Sequence, residues 1–442
     1  MLRLHDTAFG QVRPLAQRDP GKVSIYVCGP TVYDLPHIGH GRQVLVYDVL
    51  RRYLEWTGVD VHHVSNVTDV DDNIIKRAGE EGRSADEVVA HYEQEWWAAV
   101  DGLGALRPHD TPHATAYITG MIDLVESLVD GGLAYETSDG VYFATDAVDD
   151  YGLLARQPLD SLRAGARVDE HAEKRAPTDF VLWKAAKPGE PSWPSPWGEG
   201  RPGWHTECVV MSLDLLGDGF DLHTGGLDLQ FPHHENERAQ AVALGRTFAR
   251  HWMHHAFVEV GGEKMSKSLK NFTSLPDLLS RHDARAYRLL VLRSHYRSPM
   301  EVTPDTIADA EGQLERFDSF ARRHPAPPPG TPLDDDLVAR FRAFMDDDLD
   351  TPPALGLLFE ELRRANVARD AAVIATVHAL AGALGLWPRG ADQIDAETAR
   401  DMAERDAARA GRDWARADEI RARLQARGWV VEDGADGTTV HR

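Results

Sequence analysis

Cysteine is scarce, with two residues, Cys28 and Cys208, among 442. A disulfide framework is therefore excluded as the source of stability, and a chain of this length buries an adequate core without one. No uninterrupted apolar run reaches the roughly 18 residues of a membrane-spanning helix. The opening MLRLHDTAFGQVRPL has neither the apolar stretch nor the small-residue cleavage pattern of a secretory signal. Together these absences make a soluble cytoplasmic protein with no membrane partner the expectation. Positive charge is also short, since 48 Lys and Arg face 71 Asp and Glu and leave a formal net charge of -23. Indiscriminate polyanion binding is excluded, because phosphate neutralisation by Lys and Arg supplies most non-specific nucleic-acid affinity; a local basic face is not.

What is present is a repeated alternation of apolar runs and helical periodicity. KVSIYVC (22–28) is β-branched and aromatic and reads as a strand buried on both faces, and VDVHHVSNV (59–67) reads as a second. Between them, from His40, the chain places Leu45, Val49 and Tyr53 at helical spacing, with Gly58 suited to the position just past the helix end. Strand, loop, helix and strand in about 45 residues make the βαβ unit of a doubly wound parallel sheet, whose ligands sit at the carboxyl ends of the strands. The loop Cys28–His40 lies there.

Residues 108–200, rich in Pro, Gly and Trp, read as an insertion between two sheet halves, the second running over roughly 203–300. HPAPPPGTP (324–332) cannot continue a helix and reads as a linker. The expected organisation is an α/β catalytic domain over 1–300, an α-helical bundle over 301–390 and a small C-terminal α+β region over 391–442, its Arg-studded helix leading into a hairpin.

Cys208 stands 25 residues before His233, and Glu237 follows that histidine by four, so that the pair shares one face of a helix begun near PHH. Thiolate, imidazole and carboxylate are all zinc ligands, and Cys28 supplies a second sulfur if the sheet halves converge. Spacing leaves the alternative equally open: two buried core cysteines with a surface histidine and glutamate, since no CxxC pair is present. His234 and the pairs His62/His63 and His254/His255 compete as ligands.

Two further segments suit phosphate. PHIGH sets His37 and His40 around Gly39 where a helix should begin, and helix N-termini and protonatable imidazoles attract phosphate oxygens. GGEKMSKSLKNF (261–272) places Lys264 and Lys267 after the pair Gly261 and Gly262, where mobile cations can meet a leaving pyrophosphate. Each alone is weak, the second reading equally as a solvated basic loop. In this order, about 225 residues apart and each beside a strand end, they form a constellation that chance does not readily produce.

On PHIGH and KMSKS the chain resembles the class I aminoacyl-tRNA synthetases. With YVCGPTVYD, NVTDVDD (66–72), GWHTEC (203–208), HTGGLDLQFPHHENE (223–237) and FMDDDLDTPPAL (344–355), it resembles the cysteinyl-tRNA synthetase family over nearly its whole length. The resemblance implies a Rossmann-like catalytic domain and zinc ligands at Cys28, Cys208, His233 and Glu237. It implies ATP contacts at Gly29, His37, Gly39, His40, Gly226, Asp228, Lys264 and Lys267, with His37, His40, Lys264 and Lys267 catalytic. Cys28, Thr68 and Trp204 match substrate-side positions. The implied partners are tRNA(Cys), ATP with Mg2+, and L-cysteine, the expected state is a monomer, and the C-terminal arginines with Trp414 or Trp429 would meet the anticodon. Composition alone reads that tail equally as a helix covered by ion pairs. Two departures stand out: Lys270 where many bacterial members have glycine, and a tail ending GTTVHR where a tryptophan commonly follows the threonines.

Selecting cysteine over serine explains why a sulfur ligand would sit at a strand tip. An apolar pocket rejects a near-isostere by only about 100-fold, whereas zinc prefers thiolate to hydroxyl. Two rivals differ in outcome: a cysteine ligase of mycothiol biosynthesis, acting on an amino sugar, and a catalytically silent zinc or RNA-binding module.

Overall fold

The computed structural model describes residues 1–156, 173–260, 263–264, 273–368, 370–389, 394–434 and 437–441. Lys267, Lys270, Gly261 and Gly262 lie outside the described residues, and of Lys264 only the backbone is described.

The centre is a four-stranded parallel sheet in the order Trp252–His255, Leu222–Gly226, Lys22–Val27, Asp60–Ser65. These strands are short and almost wholly buried, as parallel strands covered on both faces must be. The two sheet halves meet where Val27 pairs with Thr224. There the strand order reverses, the place at which open α/β sheets open a ligand crevice. The helix Ile38–Trp56 joins the two N-terminal strands, with Leu45, Val49 and Tyr53 buried against the sheet. It ends at Trp56, and Gly58, at φ +90°, takes the left-handed position expected past the helix end. It begins two residues earlier than periodicity indicated, because His37 rather than His40 is the N-cap.

Between the sheet halves the chain builds a second, antiparallel sheet from Ala134–Thr137, Gly140–Phe143, Phe180–Ala185 and Gly200–Pro202. Its last strand turns at Gly203 into the helix Trp204–Leu216. Any side chain at 203 would stand 2.1 Å from the Val181 carbonyl, so glycine lets the helix start against the sheet.

Beyond the catalytic sheet run the helices Pro304–Arg323, Asp335–Met345, Thr351–Ala368 and Ala371–Ala383, continuous in their core with the face of the sheet that carries Ile38–Trp56. The C-terminal residues form two helices, Ala396–Ala410 and Trp414–Ala426, and a hairpin of Val430–Gly434 with Gly437–His441, around Ile420, Leu424, Trp429, Val431 and Val440. Among the described residues no helix is long and apolar enough to cross a membrane.

Candidate active site and metal centre

Cys28 ends the strand Lys22–Val27, and Cys208 lies one turn into the helix after Gly203. His233 and Glu237 flank the junction between the π-turn Gln230–His234 and the helix Glu235–Ala243. Their four ligand atoms lie within 4.8 Å of one another, and all four residues are buried. The alternative of a surface histidine and glutamate is thereby overturned.

The separations are Cys28 Sγ to Cys208 Sγ 3.7 Å, Cys28 Sγ to Glu237 Oε1 3.5 Å, Cys208 Sγ to His233 Nε2 3.8 Å and His233 Nε2 to Glu237 Oε1 2.9 Å. A tetrahedral ion with Zn–S about 2.3 Å and Zn–N or Zn–O about 2.1 Å separates sulfurs by about 3.8 Å and sulfur from nitrogen or oxygen by about 3.6 Å. The sulfur separations match these lengths, while His233 and Glu237 stand closer, as a hydrogen-bonded pair, than the roughly 3.4 Å of two light ligands on one ion; the donor set fits zinc in identity and number. Cys28, His223, His234 and Glu237 form a second, overlapping group. Its members are better explained as supports: the His223 imidazole donates to Glu237 Oε2 at 2.6 Å, which leaves Oε1 toward the sulfurs. His234 Nε2 lies 3.2 Å from Cys28 Sγ, His234 Nδ1 meets His254 Nε2 at 2.8 Å, and His254 Nδ1 meets the Thr7 hydroxyl at 2.7 Å. His233 Nδ1 meets His205 Nδ1 at 2.8 Å, which fixes the ring with Nε2 toward the centre.

The electrostatics agree with this arrangement. The Cys208 thiol is drawn down to about 6, first by the hydrogen bond from Cys28 and against its burial. Burial pushes the Cys28 thiol well up, reinforced by Cys208 and Glu237. Burial alone would lower His233, but the Glu237 carboxylate and Cys208 raise it to about 10. Burial would raise Glu237, but His223 and His233 hold it well below the usual carboxylate range. The centre sets a thiolate and a carboxylate around an imidazolium, whose positive charge is the one a bound divalent cation would take over.

Cys28 and Trp204 open this floor into a cleft of about 450 Å³, also lined by Gly29, His37, His40 and Asp228. Trp204, 36% exposed, stacks on His233 at 3.9 Å. A Cβ at Gly29 would lie 1.7 Å from the Asn66 carbonyl, so the loop after the first strand can cross the second strand's end only as glycine. Gly226 likewise leaves room for the Asp228 carboxylate, 2.4 Å from where a Cβ would be. His37, Gly39, His40 and Asp228 continue into a neighbouring cavity of about 180 Å³ walled by His255, Ala256, Phe257 and Val258.

His37 and His40 form a reciprocal cap. The His40 amide donates to His37 Nδ1 at 3.3 Å, the His37 amide donates to His40 Nδ1 at 3.2 Å, and the rings stack at 3.7 Å. In this arrangement both Nδ1 atoms serve as cap acceptors. Lys264 lies in the two-residue strand Glu263–Lys264, paired with Val258–Val260.

Thr68 is buried behind the cleft wall, where its hydroxyl donates to Glu207 Oε2 at 2.7 Å. Burial raises that carboxyl well above its usual range. Asn66 Oδ1 accepts from the Gly29 amide at 2.9 Å and lies 3.7 Å from Cys208 Sγ. Sequence reasoning missed Asn66, Glu207, His205 and His223; their only signal was position inside the quoted motifs. His62 pairs with Asp110 instead of joining the cluster, and His63 is buried apart from it.

Five of the C-terminal arginines are paired within their own unit: Arg405 and Arg409 with Asp433, Arg416 with Glu404 and Glu419, Arg423 and Arg427 with Asp401. Trp429 is core, which removes it as a stacking surface, whereas Trp414 is 60% exposed.

Comparison with known proteins gives the same family. Residues 14–312 match the family described as tRNA synthetases class I (C) catalytic domain, and 340–387 match the DALR domain. The cysteine--tRNA ligase of Chromobacterium violaceum is 45% identical over 456 residues, covering all of both chains. That of Alkalilimnicola ehrlichii is 46% identical over 461 residues, again covering both completely. In fold, Mycobacterium tuberculosis methionyl-tRNA synthetase in complex with methionyl-adenylate matches with a TM-score of 0.61 at 16% identity, over 83% of this chain and 90% of that one. With the synthetase fold and identity over the full length of both relatives, this chain belongs to the cysteine--tRNA ligase family.

Proposed function

We infer that this chain attaches cysteine to tRNA(Cys) in an ATP-dependent reaction through cysteinyl-adenylate, with zinc held by Cys28, Cys208, His233 and Glu237 as the reader of the substrate thiol. One observation carries the reading: two sulfurs, an imidazole and a carboxylate cluster beneath the cleft that His37 and His40 border, and the cluster reaches that cleft through Cys28. When bound, zinc supplies a soft Lewis-acid position that takes thiolate in preference to hydroxyl.

This chain's own groups account for the rest. The cysteine carboxylate attacks the α-phosphorus of Mg·ATP and pyrophosphate leaves, with no enzyme nucleophile. His37 and His40, fixed by their mutual cap, offer Nε2–H donors to phosphate oxygens at the helix N-terminus, and Lys264 and Lys267 stabilise charge developing on the leaving group. Asp228, braced against Gly226, is the acceptor suited to ribose hydroxyls. Trp204 covers His233 and shields the floor from water. In the second step the terminal 2′-hydroxyl of tRNA attacks the adenylate carbonyl and AMP leaves. The amino-sugar ligase reading finds no support, because the relatives matched over their whole length are named as tRNA ligases.

The test is cysteine-dependent ATP/pyrophosphate exchange, metal content and tRNA charging on one preparation. Lys267→Ala should slow exchange on the order of 100-fold, the scale of losing one oxyanion-stabilising group, with cysteine affinity little changed. Exchange that proceeds equally in metal-free protein would remove zinc from this reading. A charged amino sugar with uncharged tRNA would reverse the choice of acceptor.

A further inference from the structure

Arg42 is among the largest fully buried side chains, 1% exposed, and among the described residues it has no carboxylate partner. It lies two residues after His40 in the helix Ile38–Trp56. Its guanidinium instead donates to four backbone carbonyls: Phe257 at 2.6 Å through one terminal nitrogen, and His295, Tyr296 and Ser298 at 3.3, 3.2 and 2.5 Å through the other. Nε has no partner. Burial lowers its pKa to about 10, which leaves it charged at neutral pH. An unpaired buried cation is costly, and an apolar residue of similar volume would fill the space without that cost. What such a residue would lack is a rigid fork of donors with fixed directions.

The four carbonyls belong to two segments with a common destination. Phe257 immediately precedes Val258–Val260, which pairs on one side with Glu263–Lys264 and on the other with Met300–Glu301. Residues 295–298 lead into that last strand from the helix Ala284–Arg293. The guanidinium therefore ties the segments that enter Val258–Val260 and Met300–Glu301 to the helix Ile38–Trp56. Phe257 and Val258 also wall the cavity bordered by His37, His40 and Asp228. From the other side, Asp348 holds the same turn, accepting from the Tyr296 hydroxyl at 2.5 Å, Arg297 Nε at 2.7 Å and the His5 amide at 2.7 Å.

We propose that Arg42 is a positioning residue for the first chemical step: its carbonyl clamp sets the paired strands Val258–Val260 and Glu263–Lys264, with the Phe257 wall, in register with His37 and His40. The inference rests on the reading of His37, His40 and Lys264 given above. It joins the two signature elements through one side chain, so that a displacement at Arg42 is felt at Lys264. Displacement of a reacting group by about 1 Å can cost on the order of 100-fold in rate.

A double-mutant cycle in the full-length, metal-loaded protein tests this. Arg42→Met should lower kcat for cysteine-dependent pyrophosphate exchange by about 10- to 100-fold, with zinc content and KM for cysteine unchanged. Arg42→Lys, which keeps the charge without the fork, should recover only part of the rate. In a Lys264→Ala background the Arg42→Met loss should shrink to a few-fold, because the group it positions is gone. Equal losses in both backgrounds, or a loss confined to the KM for cysteine, would overturn the inference. If Arg42→Met does not fold, Arg42→Lys is read through the same cycle with the same criteria. A Lys264→Ala variant with wild-type exchange would instead overturn the role given to that lysine, a result distinct from failure of the clamp.

Discussion

At the floor of the cleft, four donors arrive from separate elements and are buried to 3% exposure or less, whereas at its mouth two histidines come from one helical turn and stay half-exposed. The floor is held by tertiary structure alone. Cys28 and Cys208 are 180 residues apart and meet because Val27 pairs with Thr224 and Gly203 lets a helix start against the inserted sheet. The mouth is held by local hydrogen bonds, since His37 and His40 cap their own helix and each other. The contrast separates two kinds of dependence. Buried charges without compensation are unfavourable, so loss of one donor at the floor leaves the others unpaired, whereas the cap depends only on its own turn.

The strongest test removes a donor from the floor. Cys208→Ser should lower zinc content and take cysteine-dependent exchange down by more than the roughly 10- to 100-fold expected for losing a supporting group such as His223. Discrimination against serine should fall to about 100-fold or below, the limit for an apolar pocket. Metal content by mass spectrometry, and exchange with each amino acid, read both effects. Unchanged serine rejection in a zinc-depleted variant would show that the floor does not read sulfur through the metal.

A change of pH sharpens the comparison from the other direction. In the metal-free centre, Cys208 is ionised above about 6, Cys28 keeps its proton and His233 is held protonated up to about 10. Zinc needs Cys28 as thiolate and His233 as neutral imidazole, so binding near neutrality releases two protons and tightens as pH rises. Affinity measured against a chelator should increase by about 100-fold per pH unit between roughly pH 7 and 9, ten for each proton. A flat profile would mean that these two groups are not both ligands.

The same contrast explains what the amino-acid order revealed. The parallel sheet and its helix were legible because apolar runs and helical spacing are local signals, and Gly58 marked the helix end through its positive φ. PHIGH was legible as a helix start for the same reason, although the helix begins at Ile38 and the rings are cap acceptors, a role periodicity does not encode. At the floor, spacing paired only His233 with Glu237. Joining them to Cys28 and Cys208 required either the register of a parallel pair or the family resemblance. His223, His205 and Asn66 were invisible because their roles are set by what lies across the sheet. Glu207 stood beside a candidate ligand, yet nothing in its neighbourhood announced a buried carboxyl bonded to Thr68.

The C-terminal unit gives the smallest expected effect and the narrowest question. Its arginines are largely occupied by Asp395, Asp401, Glu404, Glu419 and Asp433, so few cations are spared for phosphate, and an RNA contact there must rest on stacking. Trp429 is enclosed with Ile420 and Leu424, whereas Trp414, at the start of its helix, presents its ring to solvent. If that ring stacks on a tRNA base, Trp414→Ala should raise the KM for tRNA by about 5- to 10-fold, the lower end of the range for losing one base–aromatic contact. Pyrophosphate exchange without tRNA should not change, because the residue touches neither floor nor mouth. Charging kinetics on tRNA transcripts read the difference, and an unaltered KM would leave this unit as an ion-paired helical cap with no part in recognising RNA through Trp414.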